Sequence, residues 1–324
     1  MIAFADHLTQ QPISLPAFYA CKYSGPMKSP QVIAVVVNWN QPDYTIRCVQ
    51  SLRESDYRNL RVIVVDNGSS PAVYARLRDG VRGPELIRSE ANLGFGAGSN
   101  LAIRRALASG ADHVLVMNND TVVDSRMISR LVEAADRHPD AGLIGPLIHH
   151  LDRPERVWLQ GYRSLAAQGV VRYLLRRGLP PIVPGSPVQE IDFLSGCCAL
   201  IPRSVLEEVG LFAEQYFMYY EDVDLCVRVR RAGRRVLCVT DARMWHAVAA
   251  SSGGEETLQK QYYQTRSGFL FYRTHSRGTT RALHASLRIG HAAVIVATGV
   301  IRGRVTLGAA VELVRALRRA GRIA

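Results

Sequence analysis

An α/β fold built on a mostly parallel sheet follows from three observations. Short apolar runs rich in Val and Ile occur at 32–37 (VIAVVV), 61–66 (RVIVVD) and 113–117 (HVLVM), as expected of strands buried on both faces. Helical patterns lie between and after them, and strands alternating with helices imply a parallel sheet. Polar turn residues stand where the second and third strands end, the edge at which open α/β sheets bind ligands.

Residues 1–30 hold scattered Pro, Gln and Ser, with no basic region followed by an apolar block as in a signal peptide, and read as a poorly ordered leader. In 44–55, Tyr44, Cys48, Ser51 and Leu52 recur at helical spacing. Residues 97–109 read as a helix stopped by Gly110. The next helix, 124–137, starts from Asp124 as N-cap. Residues 151–190 carry Arg153, Arg156, Arg163, Arg172, Arg176 and Arg177, then Pro180, Pro181, Pro184 and Pro187, and read as a partly irregular insert. Order returns at 191–201, followed by a helix from Ser204, the stretch 216–232, a strand at 235–239 and a helix over 258–274. No internal repeat is present.

Of 324 residues, 48% are hydrophobic and 21% charged, which excludes a disordered or collagen-like chain. Lys and Arg number 40 against 28 Asp and Glu, and only three of the 40 are lysine. Such an excess suits an anionic partner. Residues 276–324 carry +8 and residues 151–178 carry +4, which accounts for all of the +12. The excess is therefore no general nucleic-acid footprint, and no nucleic-acid motif is present. Six cysteines without CxxC spacing read as buried reduced thiols. No run reaches the roughly 18 apolar residues of a spanning helix.

The chemistry-bearing residues cluster. Asp66 ends the second strand before the turn Asn67-Gly68-Ser69-Ser70, and Asn118-Asn119-Asp120 ends the third. Asp is also a good turn residue, so Asp66 alone supports either reading. Asn92-Leu93-Gly94-Phe95-Gly96-Ala97-Gly98-Ser99-Asn100 precedes a helix, where glycines allow close approach and the helix N-terminus favours phosphate; a tight loop is the alternative. Glu221-Asp222-Val223-Asp224 opens a helix, and Trp245-His246 follows the last strand.

These segments together resemble family 2 inverting glycosyltransferases of the GT-A fold. The resemblance rests on VVVNWN (35–40), VVDNGSS (64–70), NLGFGAGSN (92–100), MNNDT (117–121), FLSGCCALIPRSVLEEVGLF (193–212), FMYYEDVDLCVRVRRAG (217–233) and WH (245–246). It covers 31–275, with 31–125 as the nucleotide-binding half and 126–275 as the acceptor half. The subgroup is similar to bacterial rhamnosyltransferases that build cell-wall or surface polysaccharide.

The resemblance implies transfer of a sugar, foremost L-rhamnose from dTDP-rhamnose, from a dTDP- or UDP-sugar donor to a lipid-linked or polysaccharide acceptor. Donor-binding positions would be Asn38, Asp66, Asn67, Asn92, Gly94, Gly98, Asn100, Asn118 and Asn119. Asp120 and His246 would hold Mg²⁺ or Mn²⁺ against the diphosphate. Asn118 stands in place of the motif's first Asp, which removes one anionic oxygen. Asp222 would be the general base, its pKa raised by like charges, while Glu221 orients the acceptor or caps the helix. An inverting displacement needs one such base, unlike the carboxylate pair of a glycosidase.

In the tail, Leu307, Ala310, Val311, Leu313, Val314 and Leu317 share one helical face, and Arg315, Arg319 and Arg322 another. This predicts an interfacial helix on anionic lipid, or one packed on the catalytic domain or on a homodimer partner. The expected location is cytoplasmic, peripheral at the inner face of the plasma membrane. The competing functions are a sugar nucleotidyltransferase and a non-catalytic basic protein binding membrane or nucleic acid. Against the first, Val37 is followed by Asn38-Trp39-Asn40 rather than by a glycine-rich basic loop.

Overall fold

The computed structural model describes residues 29–161, 186–248 and 258–279, with isolated positions as far as 315. Of the expected leader 1–30, all but Ser29 and Pro30 lies outside these residues, as do 162–185 of the insert and most of the basic tail.

Ten strands form one sheet: β1 (Val32–Asn38), β2 (Leu60–Asn67), β3 (Glu85–Ser89), β4 (His113–Asn118), β5 (Thr121–Val123), β6 (Ala141–His150), β7 (Val157–Leu159), β8 (Val188–Ile191), β9 (Cys198–Pro202) and β10 (Arg235–His246). The order is β3-β2-β1-β4-β9-β6-β10-β5, with β7 on β6 and β8 on β10. The half from β3 to β4 is wholly parallel. Beyond it β9 runs antiparallel to β4 and β6, and β5 antiparallel to β10, while β6 and β10 are parallel.

Helices cover both faces. Ile33, Val35 and Val37 point into one core with α3 (Phe95–Ala108), α5 (Arg203–Val209), α6 (Glu221–Arg231) and α7 (Leu258–His275). Val32, Ala34 and Val36 point into the other with α1 (Pro42–Arg53), α2 (Pro71–Gly80) and α4 (Met127–Arg137). This is the period-2 alternation of a strand buried on both sides.

Several boundaries differ from expectation. Pro42 occupies the first turn of α1, where its missing N–H costs nothing, so the helix begins before Tyr44. The buried face is Pro42, Thr45, Cys48, Val49, Ser51 and Leu52; Tyr44 faces solvent. Asp124 does not cap α4. Its Oδ1 accepts from Arg126 N–H (3.0 Å) in a local turn, and the helix starts at Met127. Cys48, Cys197, Cys198, Cys226 and Cys238 are free and buried, as expected.

Candidate active site

β1 ends at Asn38, in register with Asp66 next to the end of β2. Both side chains are buried, and Asn38 Nδ2 donates to Asp66 Oδ1 (3.0 Å) and Ser69 Oγ (3.1 Å). Thr45 Oγ1 donates to Asn38 Oδ1 (2.8 Å), and Asn119 Nδ2 donates to Thr45 Oγ1 (3.0 Å). One chain of hydrogen bonds thus joins the ends of β1, β2 and β4 to the start of α1. Asp66 Oδ2 is buried without a hydrogen-bond partner, with Arg88 Nε 3.8 Å away. An orphaned buried carboxylate oxygen is costly unless a ligand completes it.

The glycine loop is held from within. Asn67 Nδ2 donates to Asn92 Oδ1 (3.1 Å) and Gly94 O (3.0 Å), while Leu93 N–H donates back to Asn67 Oδ1 (3.1 Å). Gly94 has φ 84° and ψ 175°, a region open essentially to glycine alone. A Cβ there would also lie 2.1 Å from Phe217 O. A Cβ on Gly98 would lie 2.9 Å from Asn67 Nδ2. Asn100 does a different job from the one expected. Its Nδ2 donates to Phe212 O and Glu214 Oε1 (both 2.9 Å), and its Oδ1 accepts from Phe212 N–H (3.1 Å). Its amide fastens the loop 212–214 to α3.

At the centre, Asp120 Oδ1 stands 3.1 Å from His246 Nε2, both side chains being buried. Asp120 Oδ1 nevertheless makes no hydrogen bond, and His246 Nδ1 has no partner. Two ligand atoms each about 2.1 Å from one cation at a right angle stand about 3 Å apart, so the pair fits a shared divalent ion. Among the described residues no third His, Cys, Asp or Glu joins them. A cation here would draw its remaining ligands from phosphate and water, as Mg²⁺ commonly does. Trp158 packs on the His246 ring, with centroids 4.6 Å apart. It is partly exposed, and Trp39 is 40% exposed, so neither is pure core.

Asp222 lies across the site at the start of α6. Tyr219 and Tyr220 take positive φ (66° and 72°), a strained approach that aims the helix N-terminus. Tyr220 is locked by Phe271 and Tyr272 of α7. Asp222 Oδ2 accepts from Gly196 N–H (2.9 Å) and Oδ1 from Val223 N–H (2.8 Å). Cys197 O in turn accepts from Asn118 N–H (2.9 Å), so residues 196–197 couple Asp222 to Asn118-Asn119-Asp120. Burial raises the Asp222 carboxyl, against the lowering effect of those two amides. Burial, then Asp222, pushes Glu221 up to about 8. For Asp222 the expected direction holds, but its cause is burial and not like charge. Glu221 Oε2 is buried without a partner. Asp224 plays a structural part: Oδ1 meets His275 Nε2 (2.7 Å) and Oδ2 meets Arg228 Nε (2.8 Å), tying α6 to α7.

Residues 30–264 match the family described as "Glycosyltransferase like family 2". The chain belongs to this family. It is 30% identical over 269 residues to the N-acetylglucosaminyl-diphospho-decaprenol L-rhamnosyltransferase of Mycobacterium tuberculosis, covering 76% of this chain and 86% of that one. A dTDP-rhamnosyl transferase of Shigella flexneri is 24% identical over 249 residues, covering 75% and 80%. Among solved structures, a mannosyltransferase of Pyrobaculum calidifontis in complex with GDP-Man and Mn²⁺ aligns with TM-score 0.56 at 16% identity, over 91% of this chain and 81% of that one. GalNAc-T7 with UDP, GalNAc and Mn²⁺ aligns with TM-score 0.54 at 16% identity, over 82% and 55%. The fold is the expected GT-A architecture and the protein is a glycosyltransferase. Neither competing function keeps support.

Sequence reasoning missed Thr45, Ser69 and Gly196. Thr45 and Ser69 hold Asn38, and Gly196 offers Asp222 its amide. A Cβ on Gly196 would crowd Asp222 Cβ at 3.2 Å. The adjacency of Gly196 to Cys197-Cys198 in a strand entry was the available signal for the last.

Proposed function

We propose that this glycosyltransferase moves L-rhamnose from dTDP-L-rhamnose to a sugar carried on a lipid diphosphate, inverting the anomeric centre. The names of the two relatives support donor and acceptor: one acts on a diphospho-decaprenol-linked sugar and the other is a dTDP-rhamnosyl transferase. In this reading residues 31–125 receive the nucleotide, with Asp66 Oδ2 facing base or ribose, and residues 126–275 receive the acceptor.

The observation that carries the mechanism is the hold on Asp222. Each of its oxygens accepts one backbone N–H, which favours the ionised form and leaves lone pairs free toward the site. An acceptor hydroxyl oxygen attacks the anomeric carbon and gives its proton to Asp222. The bond from that carbon to the diphosphate oxygen breaks, and its electron pair leaves with dTDP. Asp120 and His246 would hold the Mg²⁺ or Mn²⁺, which offsets charge building on the leaving diphosphate. Asn118, uncharged, and Asn119, bonded to Thr45, frame the donor without adding negative charge.

We propose further that the basic tail rests on anionic lipid. Val294 and Val311, two described positions of the tail, are 61% and 42% exposed, as apolar side chains available to lipid would be. Among the described residues no helix is long and apolar enough to cross a membrane.

The test is transfer from dTDP-rhamnose, with UDP-galactose, UDP-GlcNAc and GDP-mannose as competitors, by wild type and Asp222→Asn, with and without EDTA. The Asn variant should lose about 10²–10⁴-fold in rate while dTDP binding stays unchanged. EDTA should suppress transfer. Full activity of the Asn variant would remove Asp222 as base, and turnover in EDTA would remove the metal.

A further inference from the structure

A row of side chains beyond His246 has no part in the reading above. Register places His246 of β10 opposite Thr121 of β5 on one side and His150 of β6 on the other. The β6–β7 hairpin then closes through His150 N–H donating to Arg156 O (3.0 Å). Residues opposite each other on adjacent strands share a face, so Arg156, His150 and His246 form one row that ends at Asp120. Trp158, stacked on His246, walls it.

The charges along the row favour an anion. Arg156 is exposed and pairs with no carboxylate among the described residues. Arg153 Nε lies 3.3 Å from Asp152 Oδ2 and is partly offset, and the neighbouring Glu155 is exposed. His150 Nδ1 is 3.9 Å from Asp152 Oδ1. Burial, then Arg153, holds the His150 imidazole below its ordinary value, with Arg156 and His246 acting the same way and Asp152 opposing. A neutral imidazole offers one N–H, and a guanidinium offers a planar fork matched to phosphate oxygens.

We infer that Arg156, with His150 and Arg153, forms a diphosphate subsite beside the Asp120–His246 pair. It rests on the reading of that pair as the place where the donor's diphosphate lies. The need is chemical. With Asp120 the single carboxylate of that pair and Asn118 neutral, the protein's own cations carry more of the charge compensation. Both substrates of the proposed reaction contain a diphosphate: the nucleotide of the donor and the lipid carrier of the acceptor.

Calorimetric titration separates the two. The full chain, wild type and Arg156→Gln, is titrated with dTDP, farnesyl diphosphate and thymidine, each with Mn²⁺ and again with EDTA. The variant should bind dTDP or farnesyl diphosphate about tenfold more weakly, with thymidine within twofold of wild type, and the probe that weakens names the source. Arg156→Lys should fall between, since it keeps the charge and loses the fork. Both diphosphates within twofold of wild type would overturn the subsite. So would an equal loss for thymidine, which carries no phosphate. Wild-type dTDP binding that ignores Mn²⁺ would instead sink the metal pair, and it would leave the Arg156 effect to be read by itself.

Discussion

Glu221 and Asp222 are adjacent, carry the same chemistry and differ in surroundings. Asp222 has two backbone N–H donors to stabilise its charge. Glu221 Oε2 has none and is buried, and burial together with the neighbouring Asp222 charge raises the Glu221 carboxyl to about 8. The sign of its effect on stability follows. A carboxyl at about 8 in the fold and near 4.3 when unfolded binds more protons in the fold between those values. Stability from Glu221 is therefore complete below about pH 4.3 and is lost as pH rises toward 8. Glu221→Gln keeps the shape and cannot ionise. Its urea midpoint should exceed that of wild type at pH 8, and the gap should close on acidifying to pH 4.5. A gap that does not change with pH would show that Glu221 does not titrate between these values.

Elements with strong patterns were legible, and those held only by context were not. β1, β2 and β4 show as Val-rich runs because both their faces are buried. α2 buries only Leu77 and β3 has no fully buried residue, so neither left a pattern to read. β6 is buried along most of its length, yet Gly142, Gly145 and Pro146 disguise it as a turn region. The same division runs through the site. Asp66, Asp120, Asp222 and His246 stand in compact motifs, whereas the row Arg156–His150–His246 exists only through register. Asn100 misled because a loop amide beside a helix start serves packing as readily as a ligand. Gly94 belongs to the legible class and can be tested. An alanine there would meet Phe217 O at 2.1 Å and hold a backbone conformation that costs about 1–3 kcal/mol for a residue with a side chain. Since Phe95 N–H donates to Phe217 O (3.1 Å), relief of the clash must move the loop or the approach to α6. Gly94→Ala should lower the unfolding free energy by about 2 kcal/mol or more and raise the KM for donor. Wild-type values for both would show that the loop yields freely.

The whole molecule divides its charge by task. The parallel half and the acidic centre balance, and the excess lies in the tail and around 151–178. A donor carrying a diphosphate would be drawn to the centre by a cation and by the proposed row at Arg156, and the tail's nine arginines add a second concentration of positive charge. α7 links the two regions. Its last residue, His275, is hydrogen-bonded to Asp224 two positions from the proposed base, and the tail begins at the next residue. The tail's sequence pattern, with Val311 in an apolar set and Arg315, Arg319 and Arg322 at positions a helix would carry on another face, suits lipid bearing negative headgroups. Each such arginine contributes about 1 kcal/mol of attraction near an anionic surface. Replacing Arg319 and Arg322 by Gln in the full chain should thus reduce co-sedimentation with phosphatidylglycerol vesicles roughly 30-fold. Binding by the wild type should fall at high salt and be weak on neutral phosphatidylcholine. Transfer to a short water-soluble acceptor should not change, since no proposed site residue is altered. Equal sedimentation of wild type and variant would assign the tail's arginines to contacts with protein instead.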